Sequence, residues 1–203
     1  MALDQITHAL VSDFLAEAGM TSTGPEKDFE RFVAQVVLSP HIEGVIDYEN
    51  VLAGDGGDTG LDVIAIVING ELATDVDAVD ALAEDNRTLD VQFIFAQAKS
   101  SASFETTAIG QVAYGARDFF ADEPTLARNA VVAAAAEVSD RVFANARLFR
   151  NENPTCTIYY ATVGRWTDDG DLSARCRAAE NDLDALNIFS RASFVPLDAR
   201  NVR

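Results

Sequence analysis

Residues 91–104, "VQFIFAQAKSSASF", decide how the rest of the chain is read. Val91, Phe93, Phe95, Gln97 and Lys99 alternate with Gln92, Ile94, Ala96 and Ala98, a period of two that places the first five on one face of a strand. That face is apolar until its last two positions. Gln97 and Lys99 then point the same way, about 6.6 Å apart by strand rise, a spacing at which one side chain can touch a metal while the other reaches a metal-bound water. Ala98 aims its side chain at the opposite face, yet its carbonyl is a further oxygen donor. Lys99 is also one of only two lysines in the chain, with Lys27, in a sequence that otherwise uses arginine for positive charge.

Upstream, "LDVIAIVING" (61–70) reads as a strand with two apolar faces, as expected near the centre of a sheet covered on both sides. Asp62 opens it, on the face shared with Ile64, Ile66 and Ile68. An unpaired buried charge is costly, so this carboxylate needs a reason. Either it caps the preceding "AGDGGDTG" turn (53–60) by accepting backbone N–H bonds, or it belongs to a site. "VIDYENV" (45–51) reads as a further strand before that turn. An antiparallel meander of the three strands brings Asp62 and the Gln97/Lys99 pair to the same edge of the sheet.

The flanking segments are helical. Residues 3–18 carry apolar residues at helical spacing, and a second helix opens near Pro25 and stops before Pro40. A short acidic helix lies within 73–88, two more within 103–120 and 125–149, and another within 172–186, with strands at 156–164 and 192–198. Ser100, Ser101 and Ser103 suit the cap of the helix that follows them, ahead of the alternative that they touch a phosphate. The order fits an α/β three-layer domain, a mixed central sheet flanked by helices. Residues 1–203 are expected to form one domain, and the stop directly after the last strand suggests the N-terminal part of a longer protein.

The chain carries 33 acidic against 15 basic residues, a formal charge of −18. Such a field repels nucleic acid and anionic membranes unless a local site reverses it. Cys156 and Cys176 lack metal-ligand spacing and read as reduced thiols. No apolar run approaches a membrane span, and the N-terminus lacks the pattern of a secretory leader, so a cytoplasmic protein is expected. Only His8 and His41 are present, neither arranged with a Ser or Cys as a hydrolase triad requires. "GDGGDTG" fails both the phosphate-loop and the EF-hand patterns. Arg141, Arg147 and Arg150 are too sparse for a nucleic-acid track and read as solvated helix positions.

An aspartate opening one strand, followed on the next by Gln-x-Lys, resembles the PD-(D/E)xK nuclease superfamily in its Mrr-like variant, and implies a restriction-endonuclease-like fold. More narrowly, "GGDTGLDVIAIVING", "VQFIFAQAKSSASFE", "IYYATVGRW" and "NDLDALNIFSRASFVPLDA" resemble the N-terminal part of the AIPR (abortive infection phage resistance) family, over about residues 29–199. The resemblance implies Mg²⁺-dependent phosphodiester hydrolysis, with Mn²⁺ as a substitute, in antiphage defence. Asp62, the Gln97 side-chain oxygen and the Ala98 carbonyl are the implied metal ligands, and Lys99 sits beside the nucleophile. Such nucleases often add a glutamate from the preceding helix, and "DFERFV" offers Glu30, which lies at the margin of the stripe Phe29, Phe32, Val33 and Val36. The implied partner is nucleic acid, DNA ahead of RNA, with a C-terminal region or a homo-oligomer. The competing expectation is a non-catalytic sensing or binding module on the same fold.

Overall fold

The computed structural model describes residues 3–54, 56, 59–149, 153–167 and 169–202. Its helices begin where the sequence supplies caps. Helix α1 (Gln5–Glu17) is capped by Asp4, whose side chain accepts from the Ile6 and Thr7 amides, satisfying donors that a helix start leaves unpaired. Helix α2 (Pro25–Leu38) opens on proline, whose missing N–H costs nothing there. Helix α3 is one turn, Tyr48–Val51. Strand β1 (Val63–Ile68) turns into the two-residue β2 (Glu71–Leu72), then α4 (Val76–Asp85) leads to β3 (Val91–Lys99). Helices α5 (Thr106–Phe119) and α6 (Ala130–Ala144) precede β4 (Thr155–Thr162), and α7 (Gly170–Asp184) precedes β5 (Arg191–Leu197).

The five strands form one mixed sheet in the order β2-β1-β3-β4-β5. β1 runs antiparallel to β2 and β3, while β3, β4 and β5 are parallel. β3 is the central strand. Helices cover both faces, giving the three-layer α/β architecture expected from the sequence.

Strand alternation sorts the core into two halves. Ile64, Ile66, Ile68, Phe93, Phe95, Ile158 and Tyr160 face α5, α6 and α7, where Ile109, Val112, Val138 and Leu183 meet them. Val63, Ala65, Val67, Ile94, Ala96 and Ala161 face α1 and α2, against Val11, Phe29, Val33 and Val37. Burying a side chain such as Phe93 or Ile158 is worth about 1.5–3 kcal/mol, so these two stripes dominate the energetics of the fold. The ring of Phe93 meets Phe120 edge-on at 5.0 Å and stacks on Phe143 at 5.6 Å.

Two expectations need correction. Residues 45–51 are not a strand: the stretch ends in α3, and the following Leu52 forms an isolated bridge with Val63. Asp47 explains the difference, because its side chain accepts from the Glu49 amide and starts a helical turn. The serines after Lys99 do not cap α5; Glu105 occupies the cap position, and the Ser101 hydroxyl donates to the Ser103 carbonyl at 3.0 Å. Arg141 is an exposed position of α6, as expected, and it also forms a two-bond ion pair with Asp80 that ties α6 to α4, at 2.5 and 2.7 Å. Arg147 lies exposed in a short 3-10 turn, and Arg150 is outside the described residues.

Candidate functional site

Antiparallel register between β1 and β3 pairs Val63 with Ala96, and the Asp62 amide donates to the Ala96 carbonyl at 2.9 Å. Asp62 therefore stands beside Gln97. The Gln97 amide nitrogen donates to Asp62 Oδ2, and the Ala98 backbone N–H donates to the same oxygen at 2.7 Å. Asp62 and Gln97 are 6% and 4% exposed. Taking a carboxylate out of water is costly, and hydrogen bonds to an ionised acceptor offset that cost better than neutral ones do. An ionised carboxylate can only accept, so Gln97 must offer its NH₂ edge and turn its oxygen elsewhere.

Lys99 follows two positions later on the same face and is exposed. On the parallel neighbour, Tyr160 is in register with Gln97 and Thr162 with Lys99. Asp62, Gln97 and Tyr160 thus make a row across three strands at one end of the sheet. Tyr160 is fully buried, with its ring 5.7 Å from that of Phe104. Burial, with the Glu105 and Asp62 carboxylates adding to it, pushes its hydroxyl up to about 12. Tyr160 is therefore a neutral donor at physiological pH.

Close backbone approaches hold the row's surroundings in place. Thr59 and Gly60, ahead of Asp62, both have left-handed φ values, 57° and 78°. Helix α5 lies so near this turn that a Cβ on Gly115 would stand 2.0 Å from the Thr59 carbonyl oxygen. From α6, the Asn129 side chain donates to the carbonyls of Ala53 and Gly56 at 2.5 and 3.2 Å. On the far side, a Cβ on Gly164 would meet the Ala102 oxygen at 2.2 Å, so the segment after Lys99 is pressed against the turn after β4. A cavity of about 650 Å³ opens there between the starts of α5 and α7, lined by Phe104, Glu105, Thr106, Asp169 and Asp171 among others.

Glu30 approaches from the other layer. Its helix α2 packs on the opposite face of the sheet, and its carboxylate pairs with Lys27 at 3.2 Å. Glu30 Oε2 lies 3.1 Å from the position a Gly54 Cβ would take, and Lys27 Nζ lies closer still. Gly54 adjoins Ala53, whose amide donates to the Asp62 carbonyl at 2.9 Å. Glu30 therefore borders the loop that leads into Asp62, while the side chains of Asp62, Gln97 and Lys99 share the face toward α5.

Among the described residues, no group of three or more His, Cys, Asp and Glu side chains is placed to hold a metal ion. The oxygen donors at the site are the Asp62 carboxylate and the Ala98 carbonyl, and the Gln97 amide oxygen joins them where the amide turns over, since its nitrogen edge is the one that faces Asp62. Their chemistry fits Mg²⁺, a hard ion that takes oxygen ligands and keeps several waters, although only one of the three is charged. No family model, curated protein or solved structure matches the chain. Sequence reasoning did not single out Tyr160, which stands in register with Gln97 and could have been found by matching the alternation of "CTIYYAT" to that of "FIFAQAK".

Proposed function

We propose that this chain is a Mg²⁺-dependent nuclease, hydrolysing phosphodiester bonds of DNA or RNA as part of antiphage defence. The observation that carries the reading is the buried contact between Asp62 and Gln97, with Lys99 two residues on along the same face. The resemblance of "GGDTGLDVIAIVING" and "FIFAQAKSS" to Mrr-like PD-(D/E)xK enzymes of the AIPR family supports the same assignment. A bound Mg²⁺ would supply Lewis acidity toward a phosphate oxygen and a water. Asp62, Gln97 and the Ala98 carbonyl would hold it.

Lys99 presents a compact ammonium at the site. It orients the attacking water and neutralises charge that grows on the phosphate during attack. Arginine is a poor substitute, because its proton cannot be removed in a protein and its flat fork spreads the charge. Asp62 keeps its carboxylate aimed at the site through the Ala98 N–H, so holding that group costs no reorganisation.

The test is cleavage of single- and double-stranded DNA and RNA with Mg²⁺ or Mn²⁺. Asp62→Ala and Lys99→Ala should each lower the rate by about 10²–10⁴-fold, the range for losing a positioned proton-transfer group. Cleavage at equal rates by wild type and both variants would refute the assignment. A non-catalytic sensing module on the same fold is the second reading; it requires that defence survive both substitutions.

A further inference from the structure

We propose that the cavity between the end of α5 and α6 binds an uncharged purine nucleoside, with guanine as the base that its lining fits. This site shares no residue with the Asp62 row.

The cavity encloses about 450 Å³, a size usual for small-molecule sites. Phe119 and Phe120 from the end of α5, Phe143 from α6 and Ile188 ahead of β5 supply its apolar lining. Aromatic side chains of this kind give a flat base a surface to stack on. Two polar groups of the lining are left with bonds to make. Ser139 is 5% exposed and belongs to the α6 stripe that lines the cavity with Ala136, Asp140 and Phe143. A serine inside a helix can return its hydroxyl to the carbonyl four residues back, as Ser12 does to His8 at 2.8 Å. The Ser139 hydroxyl makes no such bond, and has no partner among the described residues. Arg128 is held by Nη2, which donates to the carbonyls of Asp118 and Phe119 at 3.1 and 2.9 Å. Its Nε is the one buried side-chain nitrogen or oxygen without a hydrogen-bond partner among the described residues. Folded proteins seldom leave such groups unmet. The lining is short of acceptors, and its guanidinium is fixed before any ligand arrives.

The remaining lining groups set the ligand's charge. Asp122 and Asp140 are exposed, and their carboxylates make no hydrogen bond or ion pair among the described residues. Two carboxylates against one guanidinium leave the lining net negative, and the carbonyls at the end of α5 add to that field, so a carboxylate or phosphate is disfavoured. A neutral ring with acceptors on one edge and a donor on another meets both requirements. Guanine carries O6 and N7 side by side as acceptors and its N2 amine as a donor. The acceptors suit Arg128 and Ser139, and the amine suits an aspartate at the rim. Adenine puts an amine beside N7, which would set a donor against donors.

Isothermal titration calorimetry of the full chain with guanosine, in EDTA, tests the site. At the efficiency usual for a ligand of about 20 non-hydrogen atoms, guanosine should bind with 1:1 stoichiometry and Kd on the order of 10–100 µM. Adenosine should bind at least about tenfold more weakly, because it leaves the site's donors unpaired, and guanosine 5′-monophosphate should also bind more weakly. Ser139→Ala should weaken guanosine about two- to tenfold and Arg128→Lys at least about tenfold, the ranges for losing a neutral and a charged hydrogen bond. Asp122→Asn combined with Asp140→Asn should erase the preference for guanosine over inosine, which lacks only the 2-amino group. Arg177→Gln, on the exposed side of α7, should change nothing. Circular dichroism checks that each variant is folded, and Ser139→Ala, which keeps a good helix former in α6, decides the matter if Arg128→Lys loosens the end of α5. No saturable binding at millimolar guanosine, or equal binding by wild type and Ser139→Ala, overturns the proposal. Tighter binding of benzoate than of guanosine overturns it in favour of an anion site.

Discussion

Replacing Gln97 by glutamate tests the buried contact directly. In wild type the Gln97 NH₂ donates to Asp62, and an isosteric carboxylate removes that donor and sets an oxygen against an oxygen. A hydrogen bond to a charged group is worth about 1.5–3 kcal/mol. Repulsion between two unit charges about 4 Å apart, at an effective dielectric near 20, adds about 4 kcal/mol. The pair can escape the full sum by taking up a proton. Protonating a glutamate of ordinary pKa, about 4.3, costs about 3.7 kcal/mol at pH 7 and about 1 kcal/mol at pH 5. A shared proton restores a hydrogen bond, so those values set the expected losses for Gln97→Glu at the two pH values. The sign is that of an acid raised by a like charge: stability is present at low pH and lost as pH rises. In EDTA, thermal unfolding at pH 7 should fall by about 7–15 °C, using about 2–4 °C per kcal/mol for a chain of this size, and by only a few degrees at pH 5. Millimolar Mg²⁺ or Mn²⁺ should restore most of the loss at pH 7, because a cation between the two carboxylates replaces the proton. A variant as stable as wild type in EDTA at pH 7, or one that metal does not rescue, would refute the contact or the donor set.

Three further outcomes follow from neighbouring features. Gly115→Ala puts a methyl 2.0 Å from the Thr59 carbonyl oxygen; backbone must shift, costing about 1–3 kcal/mol, and a thermal melt should show a loss of about 2–12 °C. Burial tends to raise the Asp118 carboxyl, but bonds from Thr125 and Leu126 and the charge of Arg128 outweigh it and hold it below its ordinary 3.8. Its contribution to stability is therefore complete above about pH 4 and lost as pH falls through the lowered value. Acid titration of unfolding should show a shallower loss below pH 3.8 for Asp118→Asn than for wild type. Burial raises the Cys156 thiol strongly, and burial with the nearby Glu180 pushes Cys176 up to about 11. Both should resist iodoacetamide at pH 8 in the folded protein and react only on denaturation, since the thiolate is the reactive form.

Periodicity made the centre of this fold legible. β1 and β3 are long, apolar on alternating faces and bounded by Gly/Asp turns or serines, and their meeting at the Asp62 end followed once antiparallel pairing was assumed. The first strand failed because "VIDYENV" carries the β-branched residues of a strand, while Asp47 supplies a local hydrogen bond that favours a helical turn. β2 was illegible for a related reason: two residues, Glu71 and Leu72, have no period, and only the left-handed Asn69 and Gly70 mark the hairpin. The site divided along the same line. Asp62, Gln97 and Lys99 sit on one or two neighbouring strands, where alternation predicts the face. Glu30 and Tyr160 depend on which helix covers which face and on the register of β4, and neither is encoded within a single segment.

The charge of the chain and its use of lysine belong to one argument. At physiological salt, interactions between exposed charges fade over about 8 Å, so most of the −18 is not felt at the Asp62 row, and the local set decides what approaches. That set holds both lysines of the chain: Lys99 on β3, and Lys27 packed with Glu30 beside Gly54, on the loop that leads into Asp62. The cavity between α5 and α7 is lined by Glu105, Asp169 and Asp171, which favours a cation and opposes a phosphate. A nucleic acid meeting this end of the molecule therefore encounters carboxylates first unless they are already neutralised. Arginines elsewhere serve structure, as Arg141 does in tying α6 to α4 and Arg128 in holding the last carbonyls of α5. The fixed guanidinium fork suits those bonds, whereas Lys99 places a compact ammonium at the end of the central strand, on the face of Asp62 and Gln97.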